Sequence, residues 1–561
     1  MKPGNDRLKR GLAGLLAGIL FLGAPGFPAS QALAAPAVLR PIAIAPHVPD
    51  GPAGLGAGGL TQAQTLAFPA LPTLPAEIRS PVPILGLTAP ETTGAPIDAA
   101  GPAPASASQR PLDPAQADII RPRAASAGAA AYRRLSRAAA TVALAAVQTQ
   151  AVFSARLPGQ DPQGIVVGDR TLPAAPPPDH IRVKLARSEI CNSDRRASNG
   201  TKASDLHERE IVMGHEGIGR IQRLPPGYAD EKGLKIGDLV VLTPHYVKND
   251  DPMLRRGLPN LSPDMRHLGI HLDGVFADLM DFPAYNVHKI DGAEKILQAT
   301  RDARSYYDQM VMTEPLACVR RGYERLKGYL QSGHPRTVLI LGAGPMGVMH
   351  AMHLLKTYPE LRISLYDVDP IRRRVAGALR LPGVTILERH DPALQYDLVV
   401  PVTSDRGANV TDAPRLVRDG GKVLLFSGID MKEGDPRPMV GTLDIEAAHR
   451  QERSVRSTWN SSDGKLKTIH FLGTSGYVES DIRGSIEELH EDFQLGEEGV
   501  FRKVQTTRID ALTGTRAIDL TGRFHDVRFQ GPAIVPLLKL YDEKMENDEN
   551  IHNYLKILIR H

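Results

Sequence analysis

The sequence predicts an α/β protein with a doubly wound parallel sheet, and three observations lead to that prediction. Between Thr337 and about Gly428, apolar strand-like runs alternate with helical stretches, which is the pattern of βαβ units. The first of those strands runs directly into a glycine-rich turn and a helix. Ahead of this region, from about residue 149, short strand-like runs are separated by Gly and Pro, which indicates a second domain rich in strands.

The first 34 residues have the layout of a secretory signal peptide. A basic start precedes an apolar run over residues 11–22, and Ala32 and Ala34 supply the small side chains of a cleavage site. The apolar run is too short to span a bilayer. We therefore expect cleavage after Ala34, with a retained apolar tail as the alternative.

Residues 35–148 form a low-complexity region dominated by Ala, Pro, Gly and Ser. Such a segment buries too little apolar surface to offset the entropy of ordering it, so we expect it to be disordered. The helix formers of 129–148 favour one short helix there.

Composition argues against a nucleic-acid partner. The net charge is only +4 over 561 residues, and aromatic residues make up 5% of the chain. No basic stripe interleaved with aromatics is present, and base-stacking platforms need such aromatics.

The stretch "RTVLILGAGPMGVMHAMHLLK" predicts a dinucleotide site. Gly342, Gly344 and Gly347, with Pro345 and Met346 between them, form a G-x-G-x-x-G turn between a buried strand and a helix. The glycines allow a tight turn, close approach of the backbone to a pyrophosphate, and close packing of helix on strand. This is the fingerprint of a Rossmann domain, and a Rossmann-like domain with an unused site is the alternative.

The next strand, "RISLYDVD", ends in Asp367, twenty residues after Gly347. A carboxylate at that position binds ribose hydroxyls and repels a 2′-phosphate, which favours NAD over NADP. The nearby arginines, Arg372 to Arg374, keep NADP open as the alternative.

Several motifs together carry a family resemblance. "EICNSDRR" (189–196) is followed by "GHEGIGRI" (214–221), "GLKIGDLVV", "LDGVFADLMDFPAYNVHKI" and "EPLACV" (314–319). In this order and spacing, residues 149–540 resemble the zinc-dependent medium-chain alcohol dehydrogenases, and within them the polyol, threonine and sugar-phosphate dehydrogenases. The resemblance implies a GroES-like, mostly-β catalytic domain over 149–313, a Rossmann domain over 314–488, and a return to the catalytic domain over 489–561.

The resemblance also implies a catalytic zinc site. It makes Cys191 and His215 zinc ligands, and it matches Glu216 and Glu314 to two glutamates of which one ligates and the other is a neighbouring or alternate ligand. Three protein ligands and one open position are what catalytic zinc requires. Taken singly, each residue has a structural alternative, and a disulfide between Cys191 and Cys318 would remove the thiolate from the metal. We otherwise interpret Cys318 as a core residue.

Two neighbours of Cys191 acquire roles from the same resemblance. Ser193 matches the hydroxyl that passes the alcohol proton outward, and Asp194 matches a carboxylate that orients the ligating histidine. The family often continues the proton relay with a histidine, but this chain has Arg196 there. An always-charged guanidinium cannot accept a proton, so the route beyond Ser193 is left open.

The second, structural zinc of the family is missing from this sequence. Its four cysteine positions hold Lys248, Asp251, Leu254 and Ser262, and none of these supplies a thiolate. We expect one zinc per chain and a lobe held by packing or by ion pairs such as Lys248 with Asp251.

These features predict a reversible, zinc-dependent transfer of hydride between a secondary alcohol and NAD. A polyol or sugar phosphate is the first substrate expected, and an amino alcohol such as threonine is the second. The alternatives are a non-catalytic NAD-binding protein and a zinc-free quinone reductase of the same fold. The resemblance implies a homodimer or homotetramer. Location is left open, because the leader indicates export whereas NAD is a cytoplasmic cofactor.

Overall fold

The computed structural model describes the catalytic and dinucleotide regions of the chain. The described residues are 146–155, 164–199, 205–228, 232–333, 335–391, 393–429, 434–460, 464–494, 499–522, 525–539 and 555–561. All of them belong to one of the two compact units of the chain, Gln109–His561. The expected signal peptide and the short helix expected over 129–148 lie outside the described residues, except that the first strand already begins at Val147.

The strands come first from the catalytic region and then alternate with helices. They are β1 (Val147–Ala155), β2 (Gly164–Leu172), β3 (His180–Ile190), β4 (Glu216–Arg223), β5 (Leu239–Leu242), β6 (His245–Tyr246), β7 (Arg266–His267), β8 (Leu279–Pro283), β9 (Val287–Lys289), β10 (Thr337–Leu341), β11 (Arg362–Tyr366), β12 (Val384–Ile386), β13 (Tyr396–Pro401), β14 (Val417–Leu425), β15 (Met439–Val440), β16 (Leu443–Asp444), β17 (Ser454–Asn460), β18 (Leu466–Gly473), β19 (Gln505–Asp510), β20 (Arg516–Asp519), β21 (Val527–Arg528) and β22 (Lys556–Arg560).

The α-helices are Asn192–Ser198, Pro252–Arg255, Ala293–Ala299, Ala303–Met310, Thr313–Gln331, Pro345–Thr357, Pro370–Ala378, Ala413–Leu416, Ile445–Arg450, Glu479–Gln494 and Ile534–Lys539. Within the described ranges, none of these helices combines the length and the apolar character that crossing a bilayer requires.

The predicted doubly wound sheet is confirmed. Seven strands lie in the order β12-β11-β10-β13-β14-β18-β17, and all neighbours are parallel except the antiparallel pair β17–β18. Strand β10 shows why the run "TVLIL" is almost continuously apolar: its alternate side chains face opposite sides of the sheet, and both sides are buried. Val338 and Ile340 pack into one hydrophobic cluster, and Leu339 and Leu341 pack into another. A parallel sheet covered on both faces requires this continuous apolar pattern.

The catalytic region forms a nine-stranded, mostly antiparallel sheet to which the end of the chain returns. Strand β22 lies between β3 and β19, antiparallel to the first and parallel to the second. The helix Glu479–Gln494 spans residue 489, where the return is expected, and the catalytic sheet resumes at Gln505. The last residues form the strand β22.

The lobe that would hold the structural zinc is closed by hydrogen bonds. Ser262 Oγ donates to Asp251 Oδ2 over 2.6 Å, and Asp251 Oδ1 accepts the backbone N–H groups of Met253 (2.7 Å) and Leu254 (3.2 Å). The expected ion pair between Lys248 and Asp251 is wrong: among the described residues Asp251 forms no such pair, and Lys248 is exposed. The carboxylate caps the helix Pro252–Arg255 instead. The residues at two of the four positions, Asp251 and Ser262, therefore bind each other.

One carboxylate fixes the start of the dinucleotide sheet and gives a testable prediction. Asp397 Oδ2 accepts the backbone N–H groups of Arg336 (2.7 Å) and Thr337 (2.8 Å) as well as the Thr337 hydroxyl (2.9 Å). We expect Asp397→Asn to lower the free energy of unfolding by about 2 kcal/mol, because the charged acceptor of several hydrogen bonds is lost. Urea titration followed by fluorescence checks this, because the single tryptophan, Trp459, lies on β17 of the same sheet.

The charge of Asp397 also predicts that the free energy of unfolding depends on pH. Burial alone would raise the pKa of Asp397, but the N–H donors of Arg336 and Thr337 and the charge of Arg418 lower it below its ordinary value. The stability it contributes is therefore present above the unfolded pKa and is lost as the pH falls through the folded one. The difference between wild type and Asp397→Asn should shrink in acid. Asp412→Asn, which breaks a surface pair with Arg415, is the control and should leave stability within about 0.5 kcal/mol.

Candidate metal and dinucleotide site

Three potential metal ligands meet where two neighbouring strands of the catalytic sheet begin and end. Cys191 directly follows β3 and caps the helix Asn192–Ser198, while His215 and Glu216 stand at the start of β4. The antiparallel register pairs Glu189 with Glu216, which brings Cys191 beside His215. One ligand atom from each of Cys191, His215 and Glu216 lies within 4.8 Å of the others. The register of two strands therefore assembles the group.

Asp194 sets the orientation of this group. Its Oδ1 lies 2.7 Å from His215 Nδ1, and its Oδ2 accepts the backbone N–H of Cys191 over 2.9 Å. Burial lowers the pKa of His215, but the adjacent Asp194 carboxylate outweighs burial and raises that pKa well above its ordinary value. Because Nδ1 is taken by Asp194, the other ring nitrogen, Nε2, is left to face the cysteine side.

The hydroxyl of Ser193 lies between the cysteine and the histidine. Ser193 Oγ is 3.1 Å from His215 Nε2 and donates to Cys191 Sγ over 3.3 Å. Ser193 and Arg196 share the helix Asn192–Ser198 with Asp194. The structure thus brings the predicted relay hydroxyl to the ligand group.

Lys556 and Glu189 complete the surroundings of the group, and sequence reasoning missed both. Lys556 Nζ donates to Glu216 Oε2 and lies 3.8 Å from Glu189 Oε2, and all three side chains are almost fully buried. Burial lowers the pKa of Lys556, but Glu216 and its other acidic neighbours together raise it above its ordinary value. Burial raises the pKa of Glu189 to about 8, against the lowering effect of Lys556. A charged residue inside an apolar strand-like run, as in "YLKILI" and "SEIC", is the signal that could have found them.

Glu314 stands apart from the three-residue group, in the first turn of the helix Thr313–Gln331. Burial, and then the negative charge of Glu216, raise the pKa of Glu314 to about 7. Cys318 lies one turn further along and donates from Sγ to Glu314 Oε1 over 3.8 Å. Both cysteines are free thiols, so the disulfide alternative is wrong, and Cys318 packs against the core beside the sheet.

The donor set of the group fits zinc. A thiolate, an imidazole and a carboxylate are the side chains that bind zinc in proteins, and three of them leave one coordination position open. The histidine also has the carboxylate partner that ligating histidines need.

The glycine-rich turn leaves room for a pyrophosphate. A Cβ on Gly347 would lie 1.8 Å from the carbonyl oxygen of Gly342, so helix and strand approach too closely for any side chain there. A Cβ on Gly344 would meet nothing within 4 Å, and the helix Pro345–Thr357 begins directly after it. Open space at a helix N-terminus, where backbone N–H groups are free to donate, fits a bound phosphate.

Asp367 is held against this turn. Its Oδ2 accepts the backbone N–H of Ala343 over 2.7 Å, and its Oδ1 accepts that of Asp369 over 2.9 Å. Arg372 lies 3.9 Å from Asp367 Oδ2, and Arg373 donates to the carbonyl oxygens of Asp367 and Val368. Asp367 thus lies at the end of β11 beside the glycine turn, where a ribose contact requires it.

Comparison with known proteins agrees with this architecture. The model of the alcohol dehydrogenase GroES-like domain matches residues 177–292. D-altritol 5-dehydrogenase of Agrobacterium fabrum is 28% identical over 261 residues, which cover 45% of this chain and 69% of that protein. L-galactonate-5-dehydrogenase of Escherichia coli is 25% identical over 335 residues, which cover 58% of this chain and 88% of that protein.

A solved structure shares the fold. An alcohol dehydrogenase of Thermotoga maritima superimposes with a TM-score of 0.51 at 17% identity, covering 74% of this chain and 99% of that one. The motifs, the two-domain fold and these relatives agree with one another. Residues 177–292 match the alcohol dehydrogenase GroES-like domain, and the chain is similar to alcohol and polyol dehydrogenases, oxidoreductases that act on CH–OH groups.

Proposed function

We propose that this enzyme oxidises a secondary alcohol group of a polyol or sugar-type substrate to a ketone, reversibly, with one zinc ion and NAD. The observation that carries the proposal is the group of half-buried Cys191 with buried His215 and Glu216, with Ser193 hydrogen-bonded to the first two. The relatives named for altritol and galactonate support a polyhydroxylated substrate.

Cys191, His215 and Glu216 would hold the zinc, with Glu314 as the neighbouring or alternate ligand. Bound there, zinc supplies Lewis acidity toward the substrate oxygen and lowers the pKa of the alcohol. Asp194 keeps the imidazole of His215 in place, because its hydrogen bond to Nδ1 fixes both tautomer and ring orientation. Ser193 would relay the alcohol proton, accepting it while its own hydroxyl proton passes to water, and the position of its hydroxyl among the ligand atoms supports this role.

The glycine turn and Asp367 would hold NAD. NAD supplies the hydride acceptor. The open space at Gly344 would receive the pyrophosphate, and the carboxylate of Asp367 would bind the ribose hydroxyls. A 2′-phosphate there would lie against that negative charge, so NAD is proposed as the preferred cofactor.

Metal analysis tests the zinc proposal. We expect about one zinc per purified chain, because the structural lobe offers hydrogen-bonding side chains in place of thiolates. Cys191→Ser should lose both the metal and the activity. The matched control is Cys318→Ser, which removes the other thiol of the chain and should retain both. A stoichiometry near two, or equal metal loss in the two variants, would contradict the proposal.

Kinetics test the role of Ser193. Ser193→Ala should lower kcat about 100-fold or more, because the hydroxyl that relays the alcohol proton is removed. Zinc content and NADH affinity should be unchanged. Ser198→Ala is the control on the same helix, because among the described residues the Ser198 hydroxyl donates only to backbone carbonyl oxygens, those of Arg195 and Leu538. Equal kcat for the two variants, with polyols, sugar phosphates and threonine as substrates, would exclude this relay.

Cofactor titration tests the role of Asp367. The wild type should bind NADH more tightly than NADPH, and Asp367→Asn should shift that ratio by about tenfold toward NADPH, which corresponds to about 1.4 kcal/mol. Asp369→Asn is a control of equal charge two residues away, where the carboxylate caps the helix Pro370–Ala378. Tighter binding of NADPH by the wild type would reject the assignment.

A further inference from the structure

A single ammonium lies between two buried carboxyl groups beside the proposed zinc ligands. Lys556 Nζ donates to Glu216 Oε2, and Glu189 Oε2 lies 3.8 Å from the same nitrogen. The exposed fractions of the Lys556, Glu189 and Glu216 side chains are 2%, 0% and 1%, so bulk water does not solvate these groups. Any change in the partner of Lys556 must therefore be made among these groups.

The two oxygens of Glu189 differ in their surroundings. Oε1 accepts Gln505 Nε2 over 2.7 Å, whereas among the described residues no donor lies within hydrogen-bond distance of Oε2. A buried acceptor without a donor costs free energy, and native structures rarely keep one without a reason. This oxygen is the one closest to the ammonium of Lys556.

The proposed function places a conflicting demand on Glu216. Its carboxylate bonds Lys556, yet it is also one of the three side chains whose ligand atoms gather around the metal position. If Glu216 turned to a metal with no other partner for Lys556, a buried ammonium would be left uncompensated, which is strongly unfavourable. Glu189 faces Glu216 across the β3–β4 register and can supply that partner.

We propose that Glu189 is a positioning residue of the metal site: its free Oε2 receives Lys556 when Glu216 turns to the metal, so that Glu189 makes Glu216 available as a ligand. The proposal rests on the proposed zinc site and adds a residue that binds neither metal nor substrate. Lys556 Nζ lies 3.8 Å from Glu189 Oε2, and an ordinary hydrogen bond measures about 2.9 Å. The proposal therefore requires the ammonium to move by only about 1 Å.

Metal affinity tests this proposal without any measurement of activity. Zn²⁺ competition against a chromogenic chelator gives the dissociation constant, and Co²⁺ absorption reports the ligand set. Glu189→Gln keeps an oxygen that accepts from Gln505 but replaces Oε2 by an amide NH2 group, which cannot accept a hydrogen bond from Lys556. We expect it to weaken Zn²⁺ binding about 10- to 100-fold, the range found when residues that support metal ligands are changed. In a Lys556→Met background the same substitution should have little effect, because no ammonium needs a new partner.

The controls separate this inference from the proposed function. Glu479→Gln removes the same charge from a surface pair with Arg483 and should leave Zn²⁺ affinity unchanged. A wild-type chain that binds no zinc would refute the proposed function itself. If the wild type binds zinc and Glu189→Gln matches it within about twofold, the inference is overturned and the zinc site stands. An equal loss with and without Lys556 would also overturn it, and if the double variant does not fold, the comparison with Glu479→Gln decides.

Discussion

The site depends on the buried carboxylate of Asp194. One oxygen binds the backbone N–H of Cys191 and thereby fixes the start of the helix Asn192–Ser198, and the other binds the imidazole of His215. Cys191 follows β3 and His215 precedes β4, so a single carboxylate joins the two halves of the ligand group. The same helix turn carries Ser193, which places the hydroxyl between the two ligand atoms.

The last strand of the chain supplies the positive charge beside the ligand group. Strand β22 lies beside β3, and it delivers Lys556 to the carboxylates of Glu216 and Glu189. At its far end Arg560 pairs with Asp308, which also binds Arg187 of β3. A strand rich in Ile and Leu can contain these cations only because buried carboxyl groups pair with them at both of its ends.

Much of this protein could be predicted from local pattern. The run "TVLIL" followed by three spaced glycines specified a buried strand and a tight turn, because each property depends on neighbouring residues alone. The replacement of four cysteine positions likewise excluded a thiolate site in the lobe. The ion pair predicted between Asp251 and Lys248 is wrong, because Lys248 can reach water. The hydroxyl of Ser262, eleven residues from Asp251, meets the carboxylate only in the folded lobe.

The sequence by itself therefore determined the order of the elements, the family motifs and the chemical types of the ligand group. Only the tertiary structure decided which charges compensate it. Lys556 is 340 residues from Glu216, and no local pattern encodes a contact over that separation. The attraction between Lys556 and Glu216 is strong because the two opposite charges lie together in a low-dielectric interior. That interior exists only after the last strand has entered the sheet.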